Sequence, residues 1–139
     1  MSGAALEQDR TWRCPVEDRV GDVGRAVGQA EAFARAAGID EDRRYALQVC
    51  IEEALANLVM HATAGPEGKR IGLEIKLSDK AVVVIISDSC TPFDATKVVL
   101  PTGPHGAAPG GRGIGLMRAF SKRMRYLSMD GRNHLEFEI

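Results

Sequence analysis

The sequence predicts a two-layer α/β sandwich of the α+β kind, a mixed sheet with helices on one face. Three observations predict it. Residues 19–62 hold two runs with apolar residues at helical spacing, residues 70–87 hold two runs of strand character, and the chain after an irregular loop returns to one helix and two strands. At 139 residues the chain has the length of one domain, 1–139, and can bury a single core.

Each element has its own signal. In residues 19–37, Val20, Val23, Val27, Ala30 and Ala34 share one helical face, and Gly38 follows as a stop. A longer helix opens with Asp40 as N-cap and acidic residues in its first turn. It then carries Leu47, Ile51, Leu55, Leu58 and Ala62 along one face. The turn chemistry of AGPEGK, residues 64–69, ends it. Arg70 to Leu77 alternates Ile71, Leu73, Ile75 and Leu77 with other residues, and Ala81 to Ser87 is almost continuously β-branched. SDK between them suits a hairpin. Residues 91–112 are rich in Pro and Gly and too long for a plain connection, which is the kind of loop that carries function. A helix from about Ile114 to Lys122 follows, then a strand from about Met124 to Met129, a turn at DGRN, and a last strand from His134 to Ile139. Trp12, near the start, is expected to pack.

Composition excludes several classes. Hydrophobic residues make up 45% and charged residues 27%, inside the globular range, and the net charge of −1 provides no global attraction to nucleic acid or membrane. The longest apolar run, Ala81 to Ile86, is far short of the roughly 20 residues a membrane span needs, and the N-terminus lacks the apolar core of a signal peptide. A cytoplasmic protein is the expectation. Cys14, Cys50 and Cys90 are odd in number and widely spaced, so they read as reduced thiols, two of them buried.

Three stretches could carry chemistry. In EEALANLVMHA, Glu53, Asn57 and His61 recur every four residues and share a helix face. A carboxylate and an amide one turn apart can accept a proton and ligate a hard cation. A solvated polar stripe explains the same spacing. Asp88 directly follows a buried-looking strand, where its carboxylate could accept from an exocyclic amine or could close the strand with an Asx turn. Glycines 110, 111, 113 and 115 bare backbone N–H groups at a helix start, which is phosphate-binding chemistry, although a glycine hinge would look the same. Together the functional readings describe one ligand, a magnesium-bound purine nucleotide.

The sequence resembles the GHKL ATPase superfamily and, within it, the small RsbW/SpoIIAB-like anti-sigma-factor serine kinases of bacteria. EALAN at 53–57 is similar to the family's N box, DSCTPFD at 88–94 to its G1 box and GGRGIGLMRAF at 110–120 to its G2 box; the closing DGRNHLEFEI also resembles how these proteins end. The resemblance covers essentially the whole chain. It implies a Bergerat-type ATP-binding fold, with ATP and Mg²⁺ as cofactors and residues 95–112 as the ATP lid. By matched position, Glu53 would be the general base, Asn57 the magnesium ligand and Asp88 the partner of the adenine amino group. Gly111, Arg112, Gly113, Ile114, Gly115 and Leu116 would bind nucleotide, Gly113 and Gly115 bringing amides to the phosphates. One departure stands out. Where the family has glycine two residues after the aspartate, this chain has Cys90, whose side chain would crowd the base or force a different backbone angle.

Arg112, Arg118, Lys122, Arg123 and Arg125 cluster with no acidic residue between 112 and 129. Such a stripe is usually a solvated face, though Arg112 and Arg118 are close enough to the glycine box to reach phosphates. Glu52 is expected to face away from the site, and His61 to tie the helix end to the sheet. The resemblance implies a protein serine/threonine kinase that phosphorylates a STAS-domain anti-sigma antagonist and sequesters a sigma factor. Pairing with a second copy is left open. The alternative is a non-catalytic, nucleotide-binding module that holds a protein partner. A histidine-kinase catalytic fragment is a weaker expectation, since no phosphoacceptor helix precedes the fold.

Overall fold

The computed structural model describes residues 10–100 and 111–139. In chain order the elements are β1 (Arg10–Val16), α1 (Val20–Ala36), α2 (Glu41–Met60), β2 (Ile71–Leu77), β3 (Val82–Asp88), a single 3₁₀ turn (Ala95–Lys97), α3 (Gly111–Phe120), β4 (Arg123–Met129) and β5 (Arg132–Glu138). The helices form where periodicity places them, and their ends carry the expected signals. The Asp40 side chain accepts a hydrogen bond from the Arg43 amide and so caps α2. Gly38, at φ 82°, ends α1 in a left-handed conformation, with the Gly38 amide donating to Arg35 O and the Ile39 amide to Ala34 O.

The five strands pair in the order β1-β2-β3-β5-β4, every neighbour antiparallel. The sheet is therefore not mixed, as the sequence had suggested. β3 and β4 do run parallel, joined by a segment that contains α3, but β5 folds back through the turn at Asp130 and Gly131 and docks between them.

β1 was not expected as a strand. Its Pro15 argues against a central strand, and β1 is in fact an edge strand where proline is tolerated. Trp12, Cys14 and Val16 point inward from it, and the Trp12 ring stacks on Phe33 at 5.6 Å.

Alternate residues of each inner strand are buried: Ile71, Leu73, Ile75 and Leu77 on β2, and Val82, Val84 and Ile86 on β3. The helices cover this face alone. α1 contributes Val23, Ala26, Ala30 and Ala34, small enough to bring it close, and α2 contributes Leu47, Cys50, Ile51, Ala54 and Leu55. Val20, expected on the inner face, is exposed at the first position of α1. All three cysteines are free and buried, one more than expected.

The start of α1 is locked to the end of β1 by one buried carboxylate. Asp22 accepts from the Glu17 amide at 2.6 Å and from Arg25 Nη2 at 2.8 Å, and Arg25 Nη2 also donates to the Pro15 carbonyl at 2.8 Å. The Arg25 hydrogen bonds, helped by the Glu17 amide, hold the Asp22 carboxyl well below the usual carboxylate range.

Two outcomes are expected. Phe137, fully buried in β5, should cost about 3–5 kcal/mol when replaced by alanine, read from urea unfolding. Because folding depresses the Asp22 pKa, its contribution is present above the ordinary carboxylate value of about 3.9 and is lost as pH falls below it. Asp22→Asn should lower the urea midpoint at neutral pH, and its midpoint should fall less than the wild type's on going to about pH 3.

Candidate functional site

α2 and α3 meet where the glycine-rich segment begins its helix. A Cβ added at Gly113 would lie 2.9 Å from Glu53 Oε2 and 3.8 Å from Asn57 Oδ1, so any side chain there would displace the Glu53 carboxylate. Glycine is required at 113 for space rather than for backbone angle. The helix starts at Gly111, three residues earlier than expected, so Gly111, Gly113 and Gly115 lie inside α3 and not before it. The amides of the first turn that lack partners within the helix therefore include those of Gly111, Arg112 and Gly113. A carboxylate, an amide oxygen and a helix N-terminus thus come together from segments more than fifty residues apart.

Beside this crossing opens a cavity of about 680 Å³. Asn57 and Leu58 of α2 form one wall, Ile86 and Leu135 the sheet floor, and Ala95 and Val98 the opposite wall. Gly111 and Ile114 at the start of α3 border it as well. The size lies within the range of small-molecule sites.

Asp88, 7% exposed at the end of β3, lines the cavity. Its Oδ1 accepts from the Cys90 amide at 2.9 Å and from Asn133 Nδ2 at 2.8 Å. The Asx turn and the binding role weighed for this residue are therefore compatible, because both of these hydrogen bonds fall on one carboxylate oxygen while the residue still lines the cavity.

Asn133 was missed from the sequence, where it read as part of the DGRN turn. It is 2% exposed, donates also to the Cys90 carbonyl at 2.8 Å, and accepts from Ser128 Oγ at 2.6 Å. Its signal lay in the alternation of β5: Asn133 shares the inward face with Leu135, Phe137 and Ile139, and an amide there needs a buried partner.

Cys90 does not force the backbone angle anticipated for it. Among the described residues only Arg70 and Asp130 are non-glycine residues with positive φ. Its side chain is buried at the cavity wall, and burial, with the neighbouring Asp88 charge, pushes the thiol up to about 11, so it is neutral at physiological pH.

Other expectations separate. Glu53, Arg112, Gly113, Gly115 and Leu116 are not among the residues that border the cavity, Glu53 and Gly113 lying at the helix crossing beside it, and a Cβ at Gly115 would make only an ordinary contact with Leu100 at 3.6 Å. Arg112 is exposed on the first turn of α3. Arg118 reaches the carbonyls of Ala95 and Val98. Arg123 and Arg125 pair across the strands with Glu138 and Glu136, so acids supplied by β5 answer that part of the basic cluster. Glu52 is exposed, as expected. His61 caps α2 and lines the cavity mouth, while the helix end is tied down by Lys69, whose Nζ donates to Leu58 O at 2.9 Å and Val59 O at 3.1 Å. Gly110 and most of the expected lid, 101–110, lie outside the described residues.

Among the described residues no group of three His, Cys, Asp or Glu side chains could hold a metal ion, and no helix is long and apolar enough to cross a membrane. A single amide oxygen, Asn57 Oδ1, suits a magnesium ion that arrives with its phosphates, since Mg²⁺ keeps several waters and takes only one or two protein oxygens in such sites.

Comparison with known proteins identifies the family and the fold. A serine/threonine-protein kinase, BtrW, of Bordetella bronchiseptica is 35% identical over 95 residues, which span 66% of this chain and 67% of that protein. A crystal structure of the RsbU and RsbW domains of a Mycobacterium tuberculosis protein superposes with a TM-score of 0.68 over 93% of this chain, at 15% identity. This chain spans 32% of that larger one, and the likeness is one of fold. The resemblance to GHKL ATPases carried by the three sequence boxes is borne out. Residues 16–139 match the family described as the histidine kinase-like ATPase domain, and the chain belongs to that family.

Proposed function

We propose that this chain is an ATP-dependent protein serine/threonine kinase of the anti-sigma type, acting on a STAS-domain antagonist in a partner-switching circuit and holding a sigma factor or equivalent regulator. The observation that carries the reading is the Glu53 carboxylate held against the first turn of α3 beside Asn57. A pure binding module has no use for a carboxylate at the phosphate end of its site. The similarity to a serine/threonine-protein kinase supports the choice of phosphoacceptor.

Each residue then has a task. Bound Mg·ATP supplies the transferable phosphoryl group and the charge that balances it. Asp88 Oδ2 accepts a hydrogen bond from the adenine amino group, while Asn133 and the Cys90 amide hold Oδ1 and fix the plane of the carboxylate. Asn57 Oδ1 would ligate the magnesium. The first-turn amides of Gly111, Arg112 and Gly113 would face the phosphates and favour negative charge there. Glu53 accepts the proton of the attacking serine or threonine hydroxyl. Positioning and charge neutralisation account for most of the acceleration in phosphoryl transfer, which a preorganised helix end and a fixed carboxylate provide.

Single-turnover transfer of labelled phosphate to candidate STAS partners tests the reading. Glu53→Gln should slow transfer by about a hundred- to ten-thousand-fold while Mg·ATP affinity, measured by calorimetry, changes little. Transfer left intact in that variant rules Glu53 out, and nucleotide binding without transfer to any partner favours the non-catalytic module. Asn133→Ala and Asp88→Asn should each weaken Mg·ATP binding by about tenfold or more, the loss expected when a hydrogen bond to a charged group is removed.

A further inference from the structure

The wall of the cavity opposite α2 is not part of any sheet or long helix. It is the segment from Phe93 to Val98, which follows the Asp88 turn and contains the 3₁₀ turn Ala95–Lys97. Its internal support is local: the Asp94 side chain accepts from the Thr96 amide, and the Lys97 amide donates to Asp94 O. A turn this short leaves the carbonyls at its end without backbone partners.

Two side chains from elsewhere in the fold hold it. Arg118 Nη2 donates to Ala95 O at 3.0 Å and also to Val98 O, so one guanidinium nitrogen spans both ends of the turn. Tyr126 of β4 accepts from the Phe93 amide through its hydroxyl at 3.1 Å. Arg118 sits two turns into α3, the helix whose first turn, at Gly111 and Ile114, borders the same cavity.

We infer that Arg118 is a positioning residue that joins the wall beside the base to the helix that faces the phosphates, so that both ends of a bound nucleotide are gripped by one rigid unit. The inference rests on the nucleotide reading above. It also gives Arg118 a task different from touching phosphate, since its Nη2 is already engaged by two carbonyls. Ala95, 5% exposed, and Val98 line the cavity together with Ile114 and Met117 of α3, and the guanidinium ties the carbonyls of Ala95 and Val98 to that helix. Without it, the wall keeps its side chains but loses its fixed distance from α3. A ligand enclosed by that wall would leave faster, while Glu53 and Asn57, held by α2, would be undisturbed.

Two measurements on Arg118→Met, which keeps the apolar stem, test this. In nucleotide-free protein, hydrogen exchange of the amides from 93 to 98 should quicken by about tenfold or more, the effect of losing both hydrogen bonds from the charged guanidinium. Release of a fluorescent ATP analogue in stopped flow should quicken, and KM for ATP should rise, by about the same factor. The value of kcat should stay within about threefold, a split that general destabilisation would not produce. Arg118→Lys should recover part of the loss, and Lys122→Met, an exposed neighbour, should change nothing.

Unchanged exchange and unchanged release in Arg118→Met overturn the inference. If that variant fails to fold, Tyr126→Phe, which removes the acceptor at the other end of the segment, must quicken both or the inference falls. Wild-type protein that binds no Mg·ATP overturns the kinase reading and the nucleotide half of this inference together, while the exchange result still decides whether Arg118 holds the wall.

Discussion

The close approach of α3 to α2 at Gly113 is the constraint on which the candidate site depends. With no side chain at that position the Glu53 carboxylate lies against the first turn of α3, and the helix end and the acid occupy one place. A methyl group would push the carboxylate aside before it affected the helix, because the contact is with the far end of a flexible side chain. Glycine here serves geometry at a price in helix propensity of about 1 kcal/mol. Met117, fully buried one turn further along α3, anchors the same helix to the core and keeps the crossing from opening.

The one-sided sheet makes this crossing possible. Because all three helices pack on one face, their ends can converge over β3 and β5, where the inward position at the end of each strand carries a polar residue, Asp88 and Asn133, in place of an apolar one. The opposite face carries charge pairs set across the strands, Arg13 with Glu74 at 3.0 Å and Arg125 with Glu136 at 3.7 Å. Exposed pairs of this kind add little to stability. Of the basic residues that drew notice along residues 112–125, Arg123 and Arg125 enter cross-strand pairs and Arg118 holds the wall of the cavity, while Arg112 and Lys122 are exposed.

Much of this was legible in the sequence, for physical reasons. Helical periodicity and capping chemistry act locally, so α1, α2 and their ends could be read directly, as could the alternating strands and the turn before β5. Glu53, Asn57 and Asp88 could be named because polar residues stood at spacings and strand ends that local geometry interprets. Strand order could not be read, because it depends on which strand docks beside β3, a choice made by tertiary packing. β1 was hidden by its proline, which local rules penalise and an edge position excuses. Asn133 and Arg118 escaped for a shared reason: their partners lie 45 and about 20 residues away, and nothing in their own neighbourhood announces those contacts.

Under the nucleotide reading proposed above, the tethering of Asp88 has a consequence for which ring the cavity would tolerate. A carboxylate oxygen held in one plane, with its twin already engaged, can only receive a proton from its ligand. A base with a keto oxygen at that edge, as guanine has, would set two lone-pair-bearing atoms against each other, with no freedom for the acid to rotate away. The buried amide beside the acid therefore turns a general polar contact into a discriminating one.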